Sequence, residues 1–235
     1  MEIDVLPSQS NVFRQIASPW HTALVVTVEA AMVLRGFLKV GHLRAANPDR
    51  IMLYEKTILF QWLTLALVLA GVWLHGLPLR TILGERWSSA RQLFRDIGLG
   101  LGFLFVSTII TSILGPHGNA SGGGPDQAIK FLLPQGGAEI ALWVVLSLTA
   151  GICEEAIYRG YLQRQFMAFS RSVPVGIILA ALAFGASHAY QGLGRASVIA
   201  LMAVLAGSVA YWCRSVRPGM IAHALQDLMA IFVRS

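Results

Sequence analysis

Hydrophobic residues in this chain gather into long blocks separated by short polar or basic connections. Seven blocks approach or pass the ~18 to 20 apolar residues that carry a helix across a bilayer. They lie at about 20–40, 56–77, 93–114, 138–169, 174–190, 196–213 and 218–233. The fifth and seventh open with proline, which suits the first helical position. No ~10-residue segments of alternating polarity, the mark of a membrane β-barrel, are present. The pattern predicts an all-α fold: a polytopic membrane helix bundle of seven spans, with an eighth or re-entrant helix as the alternative.

Composition agrees. Of 235 residues, 55% are hydrophobic and 13% are charged, against about 25% charged in soluble domains. A polar stretch, residues 1–18, precedes the first block, so that block reads as an uncleaved anchor rather than a signal peptide. The net charge of +6 resides in basic residues between apolar blocks, the usual loop bias of membrane proteins. With seven spans and an inner N-terminus, the inner segments hold nine Lys or Arg and the outer segments seven, a small bias toward that orientation. A basic stripe with interleaved aromatics is lacking, which excludes nucleic acid as a partner. Cys153 and Cys213 both stand in apolar surroundings and imply no disulfide framework.

One connection differs from the rest. "GPHGNASGGGPDQ", residues 115–127, is glycine-rich and nearly uncharged. It divides an N-terminal three-helix part, residues 1–130, from a C-terminal four-helix core, residues 131–235. Asn119 to Ser121 matches a glycosylation sequon, a short pattern of low specificity. Gly98 and Gly102 form a small-xxx-small pair in the third block, read as helix packing.

The chemistry lies in the C-terminal part. Ionisable residues inside a membrane are costly and mark functional sites. Glu155 and Arg159 are four apart, the spacing of a helical ion pair. Glu154 is rotated about 100° from Glu155 in an α-helix and is free to face elsewhere. Phe184 and His188 are four apart in the fifth block, and His223 and Asp227 four apart in the seventh. The fourth and fifth blocks turn near Arg171, with Glu154 and His188 equally far from the turn. Straight helices would therefore put both at one depth, while His223 would need helix tilt to reach them. Glycine and alanine at 151, 183, 185 and 186 would let the helices approach closely.

A glutamate beside a histidine can hold and deprotonate water, and a second histidine with a polar neighbour can stabilise an oxyanion. That set suits peptide-bond hydrolysis. The same residues could bind a divalent metal such as zinc, although they do not form the H-E-x-x-H pattern. Singly, each pair has a structural reading: an ion pair, a packed phenylalanine, a hydrogen-bonded histidine. Glu29 and His75 have no evident partner and read as structural.

The three motifs "EEAIYR", "FGASH" and "HALQD", in this order over the last ~95 residues, resemble the CPBP intramembrane proteases, the CAAX-protease type 2 or Abi family. The resemblance implies a glutamate protease acting on a membrane-associated protein or peptide, without a cofactor. It implies Glu154 as the base that activates water, His188 as the residue that positions it, and His223 with the third-motif residue at the oxyanion. Glu155, Arg159 and Phe184 would support them. Asp227 departs from the asparagine of the eukaryotic prenyl-protein proteases, and an ionised aspartate cannot donate to an oxyanion. Compact size and short tails point to a bacterial inner-membrane protein. Two other classes keep the same residues: a non-catalytic partner such as a bacteriocin-immunity or scaffold protein, and a small proton-coupled transporter. The substrate and the oligomeric state are not specified by the sequence.

Overall fold

A computed structural model describes residues 12–45, 49–84, 86–115 and 131–232, without the side chains of 42–45. The described residues are helical, with no strand. In chain order they form α1 (Pro19–Ala45), α2 (Arg50–Leu74), the single-turn α3 (Arg80–Leu83) and α4 (Ala90–Leu114). There follow α5 (Gly137–Glu154), a π-helical segment (Glu155–Leu162) and α6 (Gln163–Ser170). The chain then forms α7 (Val173–Ser187), a 3₁₀ turn (Ala189–Gln191), α8 (Leu193–Cys213) and α9 (Arg217–Met229). The glycine-rich connection and its sequon lie, from residue 116 onward, outside the described residues.

Local chemistry sets the boundaries. Asp49 caps α2 by accepting from the Met52 N–H at 3.1 Å, which starts that helix a turn and a half before the apolar block. Ser89 and Ser172 cap α4 and α7 in the same way. Arg171 and Arg214, both with φ 52°, end α6 and α8 in the left-handed conformation that reverses the chain. The fifth block was expected to stay helical to 190. Instead α7 stops at Ser187, and the 3₁₀ turn closes on Gly192, whose φ of 102° favours glycine.

Among the described residues four helices are long and apolar enough to cross a membrane: Arg50–Leu74, Ala90–Leu114, Gly137–Ser170 and Leu193–Cys213. Val173–Ser187 is apolar but shorter. The outer faces carry exposed Leu63, Phe94, Phe105, Leu182 and Trp212, as lipid-facing surfaces do. The protein is an integral membrane protein with an all-helical fold.

The long Gly137–Ser170 helix organises the molecule. On one side α2 packs along α5; on another α9 lies against both α5 and α4. The α7–α8 pair packs beside α6 and the π segment. Small residues permit these approaches. A Cβ on Gly151 would lie 2.8 Å from the Met220 carbonyl and 2.9 Å from Ala224 Cβ, and one on Gly185 would lie 2.7 Å from Ala200 Cβ. The expected Gly98 and Gly102 pair takes no such part, since both face open space; the packing residue is Gly100, against Pro218 and Ile221. The register fails because α4 presents its 100 face, not its 98/102 face, to α9.

Candidate active site

The site grows out of the π segment. Between Glu155 and Leu162 the helix widens, and the Gln163 N–H reaches back to the Tyr158 carbonyl, five residues away. Such widening is rare and tends to mark functional sites. The straight α-helix expected here is thus replaced, but residues four apart still share a side. Arg159 Nη1 lies 3.1 Å from Glu155 Oε1, with side chains 4% and 3% exposed. The same Oε1 stands 3.3 Å from His223 Nδ1. A carboxylate only accepts, so Nδ1 carries the hydrogen and Nε2 is the working face of His223.

Glu154 turns to a different set of partners. Its Oε1 accepts from Gln61 Nε2 at 2.6 Å. Its Oε2 is buried, has no hydrogen-bond partner within the protein, and lies 3.8 Å from His223 Nε2. Asp227 Oδ2 is 3.7 Å from the same nitrogen. His223 therefore gathers Glu154, Glu155 and Asp227 around one ring. The tilt it needed is supplied by the close contact of α9 with Gly151 of α5.

Phe184 joins the fourth site residue to these. Its ring is 4.7 Å from that of His188 and 5.8 Å from that of His223, and the Arg159 guanidinium sits 4.1 Å over it. His188 lies just past the end of α7, not on a straight helix. Its Nδ1 is 2.9 Å from the Phe184 carbonyl, which only accepts, so Nε2 is left as the free acceptor of the neutral ring. All seven residues singled out from sequence thus converge.

Exposure is graded. The side chains of Glu155 and Arg159 are sealed, Glu154 and His223 are 18% and 15% exposed, and Asp227 is 38% exposed. Asp227 stands at the mouth and Glu154 inside. Among the described residues no three of His, Cys, Asp and Glu are grouped so as to hold a metal ion.

Sequence reasoning missed two neighbours from the N-terminal part. Gln61 on α2 holds Glu154. Glu29 on α1, read as partnerless, accepts from the Tyr158 hydroxyl at 2.7 Å, and Tyr158 packs edge-on against Phe184. Neither belongs to a motif. The one available signal was a polar side chain inside an apolar span, which normally finds a partner on another helix.

Residues 136–229, from the start of α5 to the end of α9, match the model of one family, described as type II CAAX prenyl endopeptidase Rce1-like. No curated protein and no solved structure matches the chain. The resemblance read from the three motifs is borne out: this stretch matches the CAAX-protease family model, and it contains all seven site residues. Gln61 and Glu29 lie outside it.

Proposed function

Proceeding from that match, we propose that the chain is an intramembrane endopeptidase in which Glu154 activates the attacking water. The observation that carries this reading is the asymmetry of the Glu154 carboxylate. One oxygen is held by Gln61, and the other is buried, unpartnered and turned to His223.

In this mechanism Glu154 Oε2 takes a proton from water as the water oxygen attacks the substrate carbonyl carbon. His188 Nε2 accepts the second hydrogen of that water and aims its lone pair. The oxyanion is met by an Nε2 proton on His223, whose ring stands among three carboxylates, the setting of an imidazolium. Collapse of the tetrahedral intermediate breaks the C–N bond, and the proton on Glu154 passes to the leaving amine. Glu155, paired with Arg159, fixes the His223 ring through Nδ1. Asp227 steadies the same ring from the mouth, which an acceptor can do, instead of donating to the oxyanion. The substrate is a membrane-associated protein or peptide, and the membrane is a bacterial inner membrane.

The test compares protein termini in host membranes carrying the wild type or Glu154→Gln at matched levels. A small set of termini present with the wild type should vanish with the variant. Unchanged termini would overturn the protease reading in favour of a binding or immunity role.

A further inference from the structure

The N-terminal helices lie outside the family match, yet one of them touches the candidate base. We infer that Gln61, on α2, is a positioning residue for Glu154, so that the working site is completed by a residue the three motifs do not contain. The inference rests on the protease reading for what Glu154 does, and on geometry for how Glu154 is held.

Four observations carry it. The Gln61 side chain is buried, and its Nε2 is 2.6 Å from Glu154 Oε1, a short bond of the kind made to a charged acceptor. A carboxylate cannot donate, so the amide must present its NH₂ side to Glu154. That orientation leaves Gln61 Oε1 buried without a hydrogen-bond partner. A glutamine retained only to join two helices would have both ends satisfied, and leucine would fill an apolar span at lower cost. Finally, the helix bearing Gln61 is clamped to α5 beside it: the neighbouring Trp62 Nε1 donates to Thr149 Oγ1 at 3.3 Å. The amide is therefore fixed in register with the carboxylate.

The consequence is chemical. With Oε1 occupied, Glu154 cannot rotate freely, and Oε2 is the oxygen left for water. The amide supplies the donor that an ionised carboxylate accepts. Without it the carboxyl would be free to swing from its productive position.

The experiment uses the full chain in liposomes made from host lipid, with Gln61→Met as an apolar replacement of similar length. The readout is the rate at which termini lost in Glu154→Gln appear, followed across pH. Gln61→Met should lower that rate about tenfold to hundredfold. It should also displace the acid limb of the rate–pH profile, because the amide bonds the group that must be ionised to act as a base. A purely structural contact would reduce the amount of folded protein without moving the limb. If Gln61→Met fails to fold, Gln61→Leu removes the amide with another apolar side chain and should lower the rate alike. Infrared difference spectra, wild type minus Glu154→Gln, report the Glu154 carboxylate directly, and its stretching bands should shift in either Gln61 variant once the amide bond to it is lost. Termini that survive in Glu154→Gln would sink the protease reading and this inference with it. Termini lost in Glu154→Gln but formed by the Gln61 variants at the wild-type rate and pH profile would overturn the inference alone.

Discussion

Two buried polar clusters join the N-terminal helices to the long Gly137–Ser170 helix, and they are built in opposite ways. Around Tyr161 every polar group is satisfied. His21 Nε2 faces the Leu67 carbonyl at 3.0 Å, so its Nδ1 accepts from the Tyr161 hydroxyl at 2.7 Å. Gln165 donates to Thr22 Oγ1 and to the Ala17 carbonyl and accepts from the Ile16 N–H. Around Glu154, only two to three turns away, Gln61 Oε1, Glu154 Oε2 and Glu155 Oε2 are buried without partners, and Arg159 Nη1 makes an ion pair that lacks hydrogen-bond geometry. A saturated cluster is scaffolding, because nothing in it is left to react. An unsaturated one leaves donors and acceptors open to water or substrate, and each one left unpaired would oppose folding by about 1–3 kcal/mol.

Adjacent carboxylates give the sharpest way to break this comparison. Glu155→Gln leaves Arg159 sealed without its counter-charge, a loss of about 3–5 kcal/mol. Glu154→Gln removes a partly exposed charge from an unsaturated site and should change stability by less than about 1 kcal/mol. Thermal unfolding of the two purified variants in detergent should therefore separate them by many degrees, Glu155→Gln being the less stable. Equal unfolding temperatures would mean that the two glutamates do not divide structure from chemistry as proposed.

The saturated cluster should behave in the reverse sense. Tyr161→Phe withdraws the hydroxyl between His21 and Thr22 and should cost about 1–3 kcal/mol. Cleavage per folded molecule should stay at the wild-type rate, because none of these hydrogen bonds reaches a site residue. A rate that falls while the unfolding temperature holds would show that the two clusters are coupled.

Much of this molecule was legible in its sequence, for physical reasons that differ by region. All seven apolar blocks lie in helices, but among the described residues only four of those helices are long and apolar enough to cross a membrane, and bounds moved by up to six residues where caps such as Asp49 reset them. The site was legible because membrane-embedded charges are so unfavourable that Glu154, Glu155 and Arg159 stand out against their surroundings. Two features were hidden. The π segment keeps residues four apart on one side, so the Glu155–Arg159 spacing reads the same in either helix. The glutamine at 61 has no motif, and its contact with Glu154 spans 93 positions, a distance that local pattern cannot bridge. The same limit hid the Glu29–Tyr158 bond.

Asp227 gives the smallest effect and tests the graded exposure of the site. Its carboxylate is 38% exposed and 3.7 Å from His223 Nε2, and ion pairs open to solvent contribute about 0–1 kcal/mol. Asp227→Asn keeps an acceptor oxygen at the same length of side chain, so the ring of His223 should still be steadied. Unfolding temperature should be nearly unchanged, and the rate at which product termini form should remain within about tenfold of wild type. Asp227→Ala removes the acceptor and should fall below Asp227→Asn. The order matters more than the size: a residue that orients histidine tolerates asparagine and not alanine, whereas a proton-transferring carboxylate tolerates neither. If Asp227→Asn were as inactive as Glu154→Gln, Asp227 would belong with the reacting groups, and the mouth of the site would be part of its chemistry.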